Sequence, residues 1–139
     1  MIQILRPAAI TPVFAAGEPL CWRRNQHGDL LTNVARVAIY HSPAGFEIGY
    51  PGSGPADLAL NACAALFPGS AYNCRDGSVS RRAFLLHQAF KFHFLVHADQ
   101  SGGEINWEQI AHWLKKQGMP TKGLGLEQPD HTPLERRPK

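Results

Sequence analysis

"SPAGFEIGYPGSGPADLALNACAAL", residues 42–66, carries the reading on which the fold turns. An apolar, aromatic stretch runs into two closely spaced glycines and then into a Leu/Ala-rich segment. Strand, glycine loop, helix is also the order in which many phosphate-binding sites are built. Gly52 and Gly54 fall one glycine short of a dinucleotide fingerprint, and the P-loop lysine is missing. Pro55 removes a backbone donor at the start of the helix. Asp57 puts a carboxylate where a phosphate would sit, and it is placed to cap the helix itself. The two glycines are read as supplying backbone angles that other residues reach only with strain. Gly52, Ser53, Gly54, Pro55 and Asp57 are therefore expected to form a structural corner and not an anion or nucleotide site.

Upstream of the corner, "VARVAIYH" (34–41) alternates with period two. Its β-branched residues predict a strand with Val37 and Ile39 facing inward. "SPAG" supplies turn chemistry, and "FEIGY" (46–50) reads as a second strand with Phe46, Ile48 and Tyr50 on one face. A hairpin is the expected connection. Before these, "IQIL" is a candidate short strand, and "LCWRRNQHGDLLTN" is a candidate hairpin turning at His27-Gly28-Asp29.

Downstream, a helix is expected from Pro55 until Pro68-Gly69 stops it, followed by a loop, "GSAYNCRDGSVS". A second helix, capped by Ser80, runs to about His97. Leu86, Phe90 and Phe94 share one side of its wheel, while Leu85, Phe92, Leu95 and Val96 lie nearly opposite. A helix that is apolar on two sides is either central or carries an interface. A third helix starts at Asn106, with Gln109 completing an approximate capping box. It turns Trp107, Ile110, Ala111 and Leu114 inward and ends at Gly118, with Pro120 beyond. The expected fold class is α+β: a small antiparallel sheet packed against two or three helices in a single domain. Residues 1–33 are read as an N-terminal extension with β character, 34–118 as the α+β core, and 119–139 as a Pro-rich, basic, disordered tail.

Composition supports one globular domain. The 139 residues are 44% apolar and 18% charged, which is enough apolar chain for a core. No apolar run approaches the roughly 20 residues that span a bilayer, and the first residues lack a signal-peptide layout, so a cytoplasmic protein without a membrane partner is expected. Cys21, Cys63 and Cys74 are odd in number and widely spaced, encoding neither a zinc knuckle nor a disulfide framework. The net charge of +3 is mild, and Arg136, Arg137 and Lys139 in the tail carry part of it.

Chemistry-bearing constellations are sparse. His93 and His97 have metal-ligand spacing, but Phe94 stands where a zinc protease needs glutamate, so core or boundary histidines are the expectation and no metal or cofactor is assigned. Ser53, Ser78, Cys74 and Asp57 are raw material for nucleophilic catalysis, yet no GxSxG elbow ties a nucleophile to a base. A non-enzyme is therefore expected. Arg23-Arg24, Arg81-Arg82 and Lys115-Lys116 are paired basic spots without aromatic interleaving, which weakens a nucleic-acid reading without removing it.

"YHSPAGFEIGYPGSGPADLALNACAAL", with "LLHQAFKFHFLVHAD" and "WEQIAHWLKK", resembles an uncharacterised small-domain family of phages, plasmids and other bacterial mobile elements. The shared pattern is a hairpin followed by GYxGSGPAxLAL, over residues 40 to about 116. Ile48 stands where that family tends to carry tryptophan. The resemblance implies a mobile-element setting and no established reaction. By association with such settings, it implies a non-enzymatic protein that binds a host protein or complex, such as a CRISPR–Cas component, and inhibits host defence. The expected contacts are Arg23, Arg24, Arg81, Arg82, Lys91, Lys115 and Lys116, together with the exposed parts of the second helix. A nucleic-acid-binding accessory protein is the second reading, and a nucleotide- or metal-dependent enzyme the third.

Overall fold

Residues 12–118 are described by a computed structural model. The candidate strand "IQIL" and the basic tail from 119 onward lie outside them. In chain order the elements are β1 (Leu20–Arg24), β2 (Leu30–Thr32), α1 (Ser53–Leu66), β3 (Tyr72–Asn73), β4 (Ser78–Val79) and α2 (Arg81–Phe90). A π-helical turn (Lys91–Leu95), β5 (Gly102–Ile105) and α3 (Trp107–Lys116) complete the set. The domain is α+β, with a three-stranded antiparallel sheet ordered β2-β1-β5, a separate two-stranded ribbon β3-β4, and three helices.

The sheet grows from the predicted first hairpin. Asn25 Oδ1 accepts the amides of His27 and Asp29 at 2.8 and 2.9 Å, and Gly28 takes a positive φ of 85° that only glycine adopts without strain. This local chemistry pairs Trp22 with Thr32 and Arg24 with Leu30. On its other edge β1 pairs with β5, Leu20 opposite Ile105 and Trp22 opposite Gly103. Trp22 is buried and donates its indole N–H to the Asp99 carbonyl at 2.7 Å. Residues 20–24 thus furnish the central strand of the sheet, and Phe14, Leu20 and Trp22 belong to the hydrophobic core cluster.

The expected strands at 34–41 and 46–50 do not form, and neither does the hairpin between them. From 34 to 41 the chain pairs only at Ile39, which bridges Asp76. The inward residues there are Val34 and Ala38, whereas Val37 is 55% exposed, the reverse of the predicted face. Side chains of α1 take the backbone amides that a partner strand would have used, as described below. In 46–50, Ile48 is fully buried, Phe46 is half-buried and Tyr50 is exposed, so the segment does not present one face. The segment expected to be only a loop, 69–80, contains the β3-β4 ribbon, with Tyr72 opposite Val79.

Helix α1 is the spine of the core. Gly54 to Cys63 and Leu66 are all buried, and its alanines let α2 and the π-helical turn pack close against it. Leu58, Leu60 and Leu66 have no exposed surface, a burial that contributes about 1.5–3 kcal/mol for each side chain. The helix begins at Ser53, two residues before the expected start, so Pro55 is its third residue. Its missing N–H still falls in the first turn, where no intrahelical partner exists.

Helix α2 is capped by the Ser80 side chain, which accepts from Ala83 N. Its second apolar side is partly illusory. The π-helical turn holds one residue more than an α turn, which rotates Leu95 onto the side of Leu86 and Phe90, where it is fully buried. The Leu95 carbonyl then accepts the Gly49 amide at 2.9 Å, docking 46–50 onto this turn. α3 carries the expected capping box, with Asn106 and Gln109 bonding reciprocally. Its anchors are Ile110, Leu114 and Trp113, and the Trp113 ring meets Phe90 edge-on at 5.7 Å. Trp107 and Ala111 are only half-buried.

Candidate functional site

Gly52 and Gly54 do not supply the special backbone angles that the sequence suggests. Neither Gly52 nor Gly54 has a positive φ. A Cβ on Gly54 would stand 2.5 Å from the Glu47 Cβ and 3.0 Å from its amide nitrogen, and one on Gly52 would strike the Tyr50 ring. These glycines make room for residues 47–50 to cross the start of α1. Asp57 does not cap its own helix, which has no side-chain cap.

Asp57 instead reaches across to the 37–42 segment. Its two oxygens, fully buried, accept the amides of His41 and Ser42 at 2.8 Å each and that of Tyr40 at 3.2–3.3 Å. One turn on, Asn61 Oδ1 accepts Val37 N and Ala38 N, and its Nδ2 donates to the carbonyls of Ala38 and Asp57. Residues i and i+4 share a helix face, so the two side chains form one clamp. The run of amides at 40–42 is therefore a nest for an anion, and an internal carboxylate fills it.

The clamp sets His41 against α2. His41 Nε2 lies 2.9 Å from His87 Nε2, and His87 Nδ1 faces the Phe84 carbonyl. Both imidazoles titrate below the usual histidine range, chiefly because burial disfavours their charged forms. The Lys91 ammonium pushes both further down, and Asp57 opposes it. Around them Tyr72 stacks on Phe84 at 3.8 Å, and Tyr40 meets Phe84 edge-on at 5.1 Å. Sequence reasoning missed Asn61, His41 and His87. An asparagine and an aspartate four apart on an otherwise apolar helix were the available signal for the clamp; the histidine pair had none.

The nominated basic residues divide into two groups. Arg24 holds Glu47 in a two-point ion pair at 2.9 Å and donates to the Gln100 carbonyl. Arg82 is buried with its guanidinium 4.9 Å from the Phe67 ring centre, and Lys91 is buried with Nζ 4.3 Å from that of Phe92. These three cations make contacts within the domain. Arg81, Lys115 and Lys116 are exposed and Arg23 is half-buried, so the surface cations sit on three separate elements: β1, α2 and α3.

The candidate ligands and nucleophiles named from the sequence lie apart among the described residues. His93 is exposed and stacks near Trp113, and His97 is exposed. Among the described residues no group of three or more His, Cys, Asp or Glu is placed to hold a metal ion. Burial, helped by Glu104, pushes the Cys21 thiol up to about 11, and burial also raises Cys63 and Cys74, so none is an activated thiolate. A cavity of about 240 Å³ is lined by Arg36, Val37, Ala38, Ile39 and Asp76.

What the surface does offer is apolar. Leu85 and Phe92 are 58% and 56% exposed, one on α2 and one on the π-helical turn that continues it, with exposed Ala89 between them in sequence. No described helix is long and apolar enough to cross a membrane. Residues 16–116 match the model of a protein family described as a family of unknown function, DUF6166. No curated protein and no solved structure matches the chain.

Proposed function

We propose, for a chain that belongs to the family DUF6166, a non-catalytic role in which the outer side of α2 binds a protein partner. The observation that carries this reading is the exposure of Leu85 and Phe92 on a helix whose other large aliphatic positions, Leu86, Leu95 and Val96, are at most 8% exposed. Covering what remains of the two side chains contributes on the order of 1–2 kcal/mol each, which suits anchors of an apolar contact. The partner chemistry that fits is a protein surface with an apolar groove. The mobile-element setting and a host-defence complex such as a CRISPR–Cas component as partner are part of the proposal on the strength of the sequence resemblance, and cytoplasmic action is part of it on the strength of the sequence's composition.

The test uses the full chain as bait in bacterial lysate, alongside Leu85→Asp/Phe92→Asp and Lys115→Glu/Lys116→Glu. The proposal requires a protein that wild type and the lysine variant retain and that the apolar variant loses. Binding that ignores the apolar change, tracks the lysines and falls steeply with salt would replace it with a nucleic-acid function.

A further inference from the structure

His41 and His87 come from segments 46 residues apart, and their Nε2 atoms meet at 2.9 Å. The Phe84 carbonyl beside His87 Nδ1 can only accept, so the Nδ1 of neutral His87 carries the proton and its Nε2 presents a lone pair. The shared hydrogen is therefore donated by His41 Nε2. We propose that this pair is an acid-operated latch between the 37–42 segment and α2, closed while at least one ring is neutral and opened when both are protonated.

The order of protonation follows from the bonding. A first proton from solvent enters at His41 Nδ1 and leaves the Nε2–H to Nε2 bond intact. The second has only His87 Nε2 left, and places two N–H groups and two positive charges face to face. The charged neighbours come from two elements. Asp57 on α1 favours charge on both rings, and Lys91 on the π-helical turn opposes it. Tyr40, Tyr72 and Phe84 complete the aromatic surroundings, with the Cys74 thiol near Tyr72, and none of them adds charge in acid. The lysine also disfavours a bound metal cation, so the geometry is that of a proton device. Asp57 keeps its hold on the 40–42 amides when the rings part, which confines the opening to His41, His87 and the Tyr40–Tyr72–Phe84 cluster.

Ring-nitrogen NMR of the full chain, from neutral pH down to about 4.5, tests the latch. At neutral pH the expected tautomers are Nε2–H at His41 and Nδ1–H at His87. Two coupled titrations should follow, with the Tyr40, Tyr72 and Phe84 ring signals moving in the second only. His41→Gln retains a neutral N–H donor that cannot charge. Opening rises about tenfold per pH unit for each proton taken up, so this variant should lose one such factor from the acid transition. The latch is refuted by aromatic signals that stay still while both rings titrate, by a matching acid transition in His41→Gln, or by an Nδ1-bare His87 in wild type.

Discussion

Replacing Asp57 by asparagine tests the structural reading at its centre. The substitution keeps shape and volume, so packing along α1 is undisturbed. It turns one acceptor oxygen into an N–H2 group and removes the charge from the other. His41 N donates to one carboxylate oxygen and Ser42 N to the other, each at 2.8 Å, and Tyr40 N is shared between them. Whichever way the amide is oriented, one donor faces another donor in a buried site. A hydrogen bond to a charged group is worth about 1.5–3 kcal/mol, and an unpaired buried donor costs about 1–3 kcal/mol. The expected loss is about 2.5–6 kcal/mol, against a total stability of about 5–15 kcal/mol for a domain of ordinary size. Urea denaturation followed by tryptophan fluorescence measures it, with an unchanged slope confirming that the unfolded surface is the same. Ser53→Ala, at the exposed first residue of the helix, should change stability by less than about 0.5 kcal/mol. A loss below about 1 kcal/mol for Asp57→Asn would refute the clamp. Melting of the wild type that rises with inorganic phosphate and depends on Ser53 would instead overturn the reading of the glycine corner, which would then be a ligand site.

Gly54→Ala forces a methyl group to within 2.5 Å of the Glu47 Cβ, and thermal melting should show a destabilisation of about 1–3 kcal/mol. Asn106→Ala removes the acceptor for Gln109 N and half of the capping box, costing about 1 kcal/mol by urea titration, with the fold retained. Stability should also fall as pH drops below about 6.5: burial makes both His41 and His87 weaker bases in the folded chain than in the unfolded one, so the unfolded chain binds more protons there. Denaturation midpoints that are flat from neutral pH to about pH 5 would contradict this.

Much of this domain is written locally. The Asn-x-His-Gly-Asp turn of the first hairpin, the Ser80 cap, the Asn106/Gln109 box and the proline in the first turn of α1 each act within a few residues. Short-range hydrogen bonds and steric limits therefore place these elements whatever the rest of the chain does. The α+β class follows from the same local signals. Which segments become strands was settled only in three dimensions. The alternating 34–41 stretch has a strand's pattern, but most of its amides from 37 on go to Asp57 and Asn61, while "GGEI", whose first three residues disfavour strands, pairs with β1. The wheel of α2 assumed a constant turn, and the π insertion that turns Leu95 inward depends on its packing against α1 and on the Gly49 amide. The histidine pair is the extreme case. Hydrogen bonds between groups 46 residues apart leave no periodic trace in the chain, so only the assembled core brings them into register.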